Sequence, residues 1–183
     1  MINHDMIRDL ILSEISKTSD GKEDNDSLYS RDSVSKLDWD RSKDISRPWV
    51  RLFVPNFLET IEEFIRSMAY KKIELEDVWY QQYEKNDCHG WHIHGEHYTG
   101  VYYLEFPKGC SYTEFCSPYD LKSQKIQAEE GDIVIFPSHC IHRGPPNTGD
   151  RKTIISYNFR VDASHIDNVL VHWVNDGKPN IAF

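Results

Sequence analysis

Nine histidines are spread over the 183 residues, and four of them, His89, His92, His94 and His97, fall within one nine-residue stretch. His92 and His94 stand at i and i+2 in Trp91-His92-Ile93-His94-Gly95-Glu96. On an extended segment alternate side chains project to one face, so both imidazoles can reach a single ion. Glu96 continues the alternation and offers a carboxylate to the same set. A third histidine, His142, lies in Ile141-His142-Arg143-Gly144-Pro145-Pro146, just after the apolar run Ile133-Val134-Ile135-Phe136. There a strand gives way to a loop that presents a ligand easily. A first-row divalent ion held this way keeps about three coordination positions for substrate, cosubstrate or dioxygen. Two histidines with Glu96 make the common facial triad, whereas His92, His94 and His142 make an all-histidine one, and the residues alone leave both open. Trp91 and Ile93 point to a buried strand rather than a surface cluster. Cys140, two positions before His142, is a weaker thiolate candidate, and His4, His165 and His172 read as ordinary histidines.

These ligands need a rigid support, and the surrounding pattern supplies one. From residue 73 onward, short apolar and aromatic segments alternate with Gly, Pro, Asn and Asp, which is how an antiparallel sheet protein reads. The expected strands are 73–83, 90–94, 99–106, 112–116, 125–128, 132–136, 152–161 and 169–173. Ahead of them, Phe57, Leu58, Ile61, Phe64, Ile65 and Met68 recur at helical spacing, with Pro55-Asn56 as a start signal, so an amphipathic helix is expected to cover the sheet. Residues 1–45 combine a short amphipathic helix on Ile7, Leu10, Ile11 and Ile15 with a charged arm too poor in large apolar residues to bury much surface. Residues 46–183 are expected to form a single mainly β domain with flanking helices, a rolled antiparallel sheet in the manner of a sandwich or barrel.

Bulk composition narrows the function classes. A formal charge of −9 argues against extended nucleic-acid binding. No apolar run approaches the roughly 20 residues needed to span a bilayer, and the N-terminus carries no basic segment followed by an apolar one, so a cytoplasmic location and no membrane partner are expected. The four cysteines, Cys88, Cys110, Cys116 and Cys140, show no CxxC spacing and read as free thiols.

Further evidence lies downstream in Gly131-Asp132-Ile133-Val134-Ile135-Phe136-Pro137-Ser138, then His142, then Arg151-Lys152-Thr153 opening a second apolar strand. Over roughly residues 75–161 the chain resembles the 2-oxoglutarate and Fe(II)-dependent oxygenases, in particular small bacterial and phage-type members with an HxH motif before a strand like Gly100-Val101-Tyr102-Tyr103-Leu104. The resemblance implies a double-stranded β-helix of jelly-roll or cupin-like form. It also implies that His92, His94 and His142 hold Fe(II), with His94 favoured over Glu96 as the remaining ligand. Arg151, nine positions after His142, then grips the distal carboxylate of 2-oxoglutarate, for which a planar guanidinium fork is well suited. Thr153 shares the face of Arg151 and adds a hydroxyl donor, and alternation puts Lys152 on the opposite, exposed side. Tyr103 is a cosubstrate-binding phenol, while Tyr83 reads as a core aromatic. Trp91, Tyr103 and Phe136 are the expected aromatic walls. The HxH departs from the commoner HxD of the superfamily.

The activity so implied is a dioxygenase that converts 2-oxoglutarate and dioxygen to succinate and CO2 while hydroxylating an unactivated C–H bond of a small-molecule or protein substrate. One rival is a cupin-type three-histidine metalloenzyme that makes no use of 2-oxoglutarate, because Gly131, Pro137, His142 and Asn147 also resemble a cupin motif. A zinc-stabilised binding module is disfavoured, since structural zinc is usually closed by four ligands and often by cysteine.

Overall fold

Trp49, Phe53, Phe57 and Ile61 recur every four residues and are fully or almost fully buried, which makes one apolar stripe on a helix longer than the sequence pattern suggested. In the computed structural model, which describes residues 1–18 and 33–162, helix α2 runs Pro48–Ser67. It starts at Pro48, where the missing N–H costs nothing, and it passes through Pro55, the residue expected to start it. An internal proline costs about 3 kcal/mol, whereas burying four large apolar side chains returns roughly 6–12 kcal/mol, so packing overrides the breaker. Helix α1, His4–Ser16, packs beside α2 and buries Ile7, Ile11 and Ile15, while Leu10 faces solvent.

Two antiparallel sheets lie beneath. The larger has five strands in the order β1 (Lys36–Leu37), β2 (Ile73–Tyr83), β9 (Lys152–Val161), β4 (Tyr98–Glu105) and β7 (Ile133–Pro137). The smaller has four, in the order β3 (His89–His92), β8 (His142–Gly144), β5 (Glu114–Cys116) and β6 (Ser123–Lys125). A short 3-10 turn at Trp39–Arg41 precedes α2. Strands β2 and β9 span the expected ranges, β3, β4 and β7 differ by a residue or two at their ends, and β8 occupies a stretch read as loop. The strand expected at 169–173 lies outside the described residues.

One face of the large sheet carries Val78, Tyr80, Tyr102, Leu104, Ile155, Tyr157 and Phe159, which pack with the two helices into the main core. Its other face carries Tyr83, Val101, Tyr103 and Ile154, which form a second core with Val34 and Ala128. The central strand β9 is therefore covered on both faces, and nearly every residue in it is buried. A buried pair, Arg47 and Asp38, ties the segment before α2 to the sheet: Asp38 accepts from Arg47, from Trp49 Nε1 and from the Tyr80 backbone N–H. Gly100 is required where it stands, because a Cβ there would meet the Val134 carbonyl oxygen at 2.3 Å and the Tyr157 hydroxyl at 2.4 Å. The four cysteines are free. Among the described residues no helix is long and apolar enough to cross a membrane.

Candidate metal centre

Strand pairing brings the distant histidine to the other two. His92 at the end of β3 stands directly opposite His142 at the start of β8, and their ring centroids are 4.2 Å apart. His94 lies two residues past β3, where its backbone N–H donates to the Ser138 carbonyl at 2.9 Å and so fixes the segment to the end of β7. Its ring is 5.0 Å from that of His92 and 5.2 Å from that of His142. One ligand atom from each of the three histidines lies within 4.8 Å of the others, and Glu96 is outside this group.

The rings are prepared to ligate. His92 Nδ1 sits 2.8 Å from the Gly90 carbonyl and His142 Nδ1 sits 2.9 Å from the Cys140 carbonyl. A carbonyl only accepts, so each Nδ1 carries the proton and each Nε2 keeps its lone pair for a metal. Burial, reinforced by the neighbouring His92 and His89, pushes His94 down to about 4. Burial first, and then His92, pushes His142 down to about 3. Both are therefore neutral and able to bind a cation at ordinary pH. Trp79 packs on His94 at 5.9 Å, and Phe136 and Phe115 pack on His142 at 4.7 and 6.0 Å. These are the walls of the centre. Trp91, expected among them, is instead 39% exposed, with the Arg143 guanidinium 4.5 Å over its ring.

The structure separates the expected anion anchor from the centre. Arg151 precedes β9, its side chain is 45% exposed, and its Nε and Nη2 fork onto the Glu105 carboxylate at 2.9 and 2.8 Å. Thr153 donates to the same carboxylate at 2.7 Å. Arg151 and Thr153 thus do share a face, but it is the face turned away from the second core. Lys152 occupies the inner face and is only 2% exposed, the reverse of the expected exposure. The alternation argument assumed one wet face, and a central strand between helices and a second sheet has none.

Lys152 pairs across the sheet with Tyr83, and its Nζ lies 4.6 Å over that ring and donates to the Ser111 carbonyl at 2.7 Å. Tyr83 in turn abuts Gly144, two residues along β8 from His142: a Cβ on Gly144 would lie 3.1 Å from the Tyr83 hydroxyl. Burial pushes the Lys152 ammonium down to about 8, and no carboxylate pairs with it among the described residues. The available signal for it was the spacing of ten residues from His142, at the start of a long strand. Tyr103 does face inward, fully buried, and donates to Thr113 Oγ1 at 2.8 Å. Asp77 and Asn158, both buried, carried no motif and went unnoticed in the sequence.

Several solved enzymes share this two-sheet arrangement. The chain is similar over 86% of its length to 91% of the viral collagen prolyl hydroxylase of Paramecium bursaria Chlorella virus-1 in its 2OG complex, with a TM-score of 0.60 and 17% identity. It is similar over 84% of its length to 78% of a Trichoplax adhaerens prolyl hydroxylase in complex with a hypoxia inducible factor peptide, with a TM-score of 0.58 and 18% identity. A Pseudomonas putida prolyl-4-hydroxylase matches over 86% of this chain and 88% of its own, with a TM-score of 0.56 and 12% identity. No family model and no curated protein matches the sequence. At such identities the likeness defines the fold, and the fold is the double-stranded β-helix of the 2-oxoglutarate oxygenases.

Proposed function

We propose that the protein is an Fe(II)- and 2-oxoglutarate-dependent oxygenase in which His92, His94 and His142 hold the metal and Lys152 anchors the cosubstrate. The observation that carries this reading is the pairing of a neutral three-imidazole cluster with a buried, carboxylate-free ammonium inside one double-stranded β-helix. Imidazole nitrogen suits iron(II), and three ligands on one side leave the other side of the ion for exchangeable groups. Iron(II), when bound, supplies the redox chemistry by which dioxygen and 2-oxoglutarate are consumed and a C–H bond is hydroxylated.

The chain's own residues bind, orient and exclude water. Lys152 offers its ammonium to the far carboxylate of 2-oxoglutarate, the place assigned in the sequence to Arg151. Tyr103 and Thr113 form the polar wall beside it, with Tyr103 pushed up by burial so that its phenol stays protonated and can donate. Trp79, Phe115 and Phe136 keep the centre dry around His94 and His142. Three of the structural neighbours are prolyl hydroxylases, one of them with a peptide bound, so a prolyl peptide is the first substrate class to offer. Isotope-labelled 2-oxoglutarate with iron, ascorbate and a prolyl-peptide library tests the reading by release of labelled succinate. Metal-replete protein that neither binds 2-oxoglutarate nor forms succinate overturns it.

A second reading is favoured by one feature: among the described residues no carboxylate joins the three histidines. A cupin-type three-histidine enzyme would bind its substrate at the metal and ignore 2-oxoglutarate. Retained iron with no calorimetric response to 2-oxoglutarate selects it.

A further inference from the structure

We propose that Trp79 and Trp39 form a one-electron relay that carries an oxidising equivalent from the metal at His94 out to solvent. The inference rests on a redox-active ion at the three histidines, and it is independent of the cosubstrate that ion uses.

An irregularity in β2 puts the inner ring of the relay against a metal ligand. Ile73 and Leu75 pack against the helix-side core, and so do Val78 and Tyr80. Strict alternation cannot put both odd and even residues on one face, and the register of β2 against β9 shows the reason: Leu75 opposes Phe159 and Asp77 opposes Asn158, with Glu76 left over as a bulge. Bulges re-aim side chains in this way. Past the bulge Trp79 takes the face opposite Val78 and Tyr80, where its ring lies 5.9 Å from that of His94. Trp79 is only 4% exposed. Trp39 meets it edge-on, with ring centroids 4.4 Å apart and planes at 85°, and is itself 41% exposed. Two ring contacts thus lead from a metal ligand to water.

The outer ring is held in place from both sides. Asp38, just before Trp39, accepts from Arg47, from Trp49 Nε1 and from the backbone N–H of Tyr80, the residue after Trp79. Ser42, just beyond the 3-10 turn, accepts from the backbone N–H of Val78 at 2.9 Å and donates its Oγ to Asp77 at 2.8 Å. The turn that carries Trp39 is therefore pinned to β2 on either side of Trp79, and the edge-to-face pair is a fixed one.

An indole gives up one electron far more readily than a benzene ring. Phe115 and Phe136, which pack on His142, are therefore walls and not carriers. A redox ion that meets an oxidant with no substrate C–H bond in place has its own imidazoles as the nearest targets, and the relay offers another outlet. With hydrogen peroxide as the oxidant, the O–O bond breaks and two electrons reduce its oxygens to two waters. One electron comes from iron(II), which becomes iron(III), and the other from the Trp79 indole. Of the two protons consumed, solvent supplies one and the indole N–H the other. Trp39 then gives an electron to Trp79, which regains a proton, while the N–H proton of Trp39 passes to solvent. The radical now sits on a half-exposed ring, where a soluble reductant such as ascorbate restores it by giving a hydrogen atom.

Trp91 is the internal control, because it is 39% exposed and adjoins His92 in sequence, yet its ring lies under the Arg143 guanidinium. The full-length chain, loaded with iron(II) without air and without 2-oxoglutarate, is mixed with hydrogen peroxide. Peptide mass spectrometry should find oxygen added severalfold more at Trp39 than at Trp91, and freeze-quench electron paramagnetic resonance should show an indolyl radical. The metal-free chain should oxidise the two alike. Trp79→Phe keeps an aromatic wall and breaks the relay, so oxidation of Trp39 should fall to the level of Trp91 and oxidation of His94 should rise. Should Trp79→Phe not fold, Trp39→Phe alters a half-exposed position and should move the added oxygen to Trp79 and His94. Equal oxidation of Trp39 and Trp91 in the iron-loaded parent, Trp39 oxidised as much in Trp79→Phe as in the parent, or a Trp39→Phe protein with no more oxidation at Trp79 and His94 overturns the relay with the metal centre intact. A parent chain that binds no iron overturns the centre and the relay together.

Discussion

Replacing Lys152 by Met should weaken cosubstrate binding and at the same time make the metal-free protein more stable. The Lys152 ammonium is almost completely enclosed, and its partners are one carbonyl, from Ser111, and one aromatic face, from Tyr83. Burial lowers it from an ordinary 10.5 to about 8. A lysine depressed in the folded state weakens the fold wherever the ammonium is charged in both states, here fully below pH 8, and the penalty fades between pH 8 and 10.5. At about 1.4 kcal/mol per pH unit the penalty is roughly 3 kcal/mol at neutral pH. Methionine keeps the apolar stem and forfeits the Ser111 hydrogen bond, worth about 1 kcal/mol. A net gain near 2 kcal/mol remains, which corresponds to a rise in Tm of about 4–8 °C for a chain of this size.

Binding should move the other way. Truncating one partner of a buried charge pair costs about 2–5 kcal/mol, so 2-oxoglutarate affinity should fall roughly 30- to 4,000-fold. Calorimetry with 2-oxoglutarate and a denaturant series at pH 7 and pH 10 read both effects, and the stability advantage of Lys152→Met should shrink at the higher pH. A variant that binds 2-oxoglutarate like the parent refutes the anchor. One that is less stable than the parent at pH 7 refutes the argument from an unpaired buried charge.

Arg151→Ala should change 2-oxoglutarate affinity less than threefold and stability by no more than about 1 kcal/mol, because an exposed ion pair is worth little; calorimetry and a thermal melt check it. His142→Ala should lose iron and cobalt binding while the chain stays folded, read by metal analysis and circular dichroism. Gly100→Ala should destabilise by more than about 3 kcal/mol or prevent folding, since its Cβ has nowhere to go between the Val134 carbonyl and Tyr157, and soluble yield with a denaturant midpoint reports the outcome. The metal-free protein should lose stability steadily as pH falls from 6.5 toward 4. His94 and His142 are depressed by burial, so the unfolded chain takes up protons there that the folded chain refuses, and the urea midpoint followed down that range should drop.

Much of the centre was legible because its signals are local. His92 and His94 are two residues apart, and the long strands β2 and β9 announce themselves by composition over eleven and ten residues. His142 was found by its position after an apolar run, although the three-residue strand it opens is too short to leave a periodicity. What could not be read was orientation where alternation fails. The expected exposures of Lys152 and Arg151 are reversed because β9 is buried on both faces, and Asp77 was hidden because a single bulge reverses the parity of β2. Helix α2 was clipped at Pro55 for a related reason: a local breaker was weighed without the tertiary burial of Trp49 and Phe53 that overrides it.

The two buried charges explain one another's persistence. Asp77 and Lys152 point into the same space between the sheets, yet Asp77 lies at the Asn158 level of β9 and Lys152 at its beginning, six residues away, so they do not neutralise each other. A protein selected for stability alone would have no reason to keep either, because an apolar residue at each position removes a desolvation cost. On the proposed reading, a site that takes a cation and a carboxylate has a use for both, spaced apart along β9. On that reading, the desolvation cost that Lys152 carries in the ligand-free fold becomes affinity for the carboxylate that pairs with it.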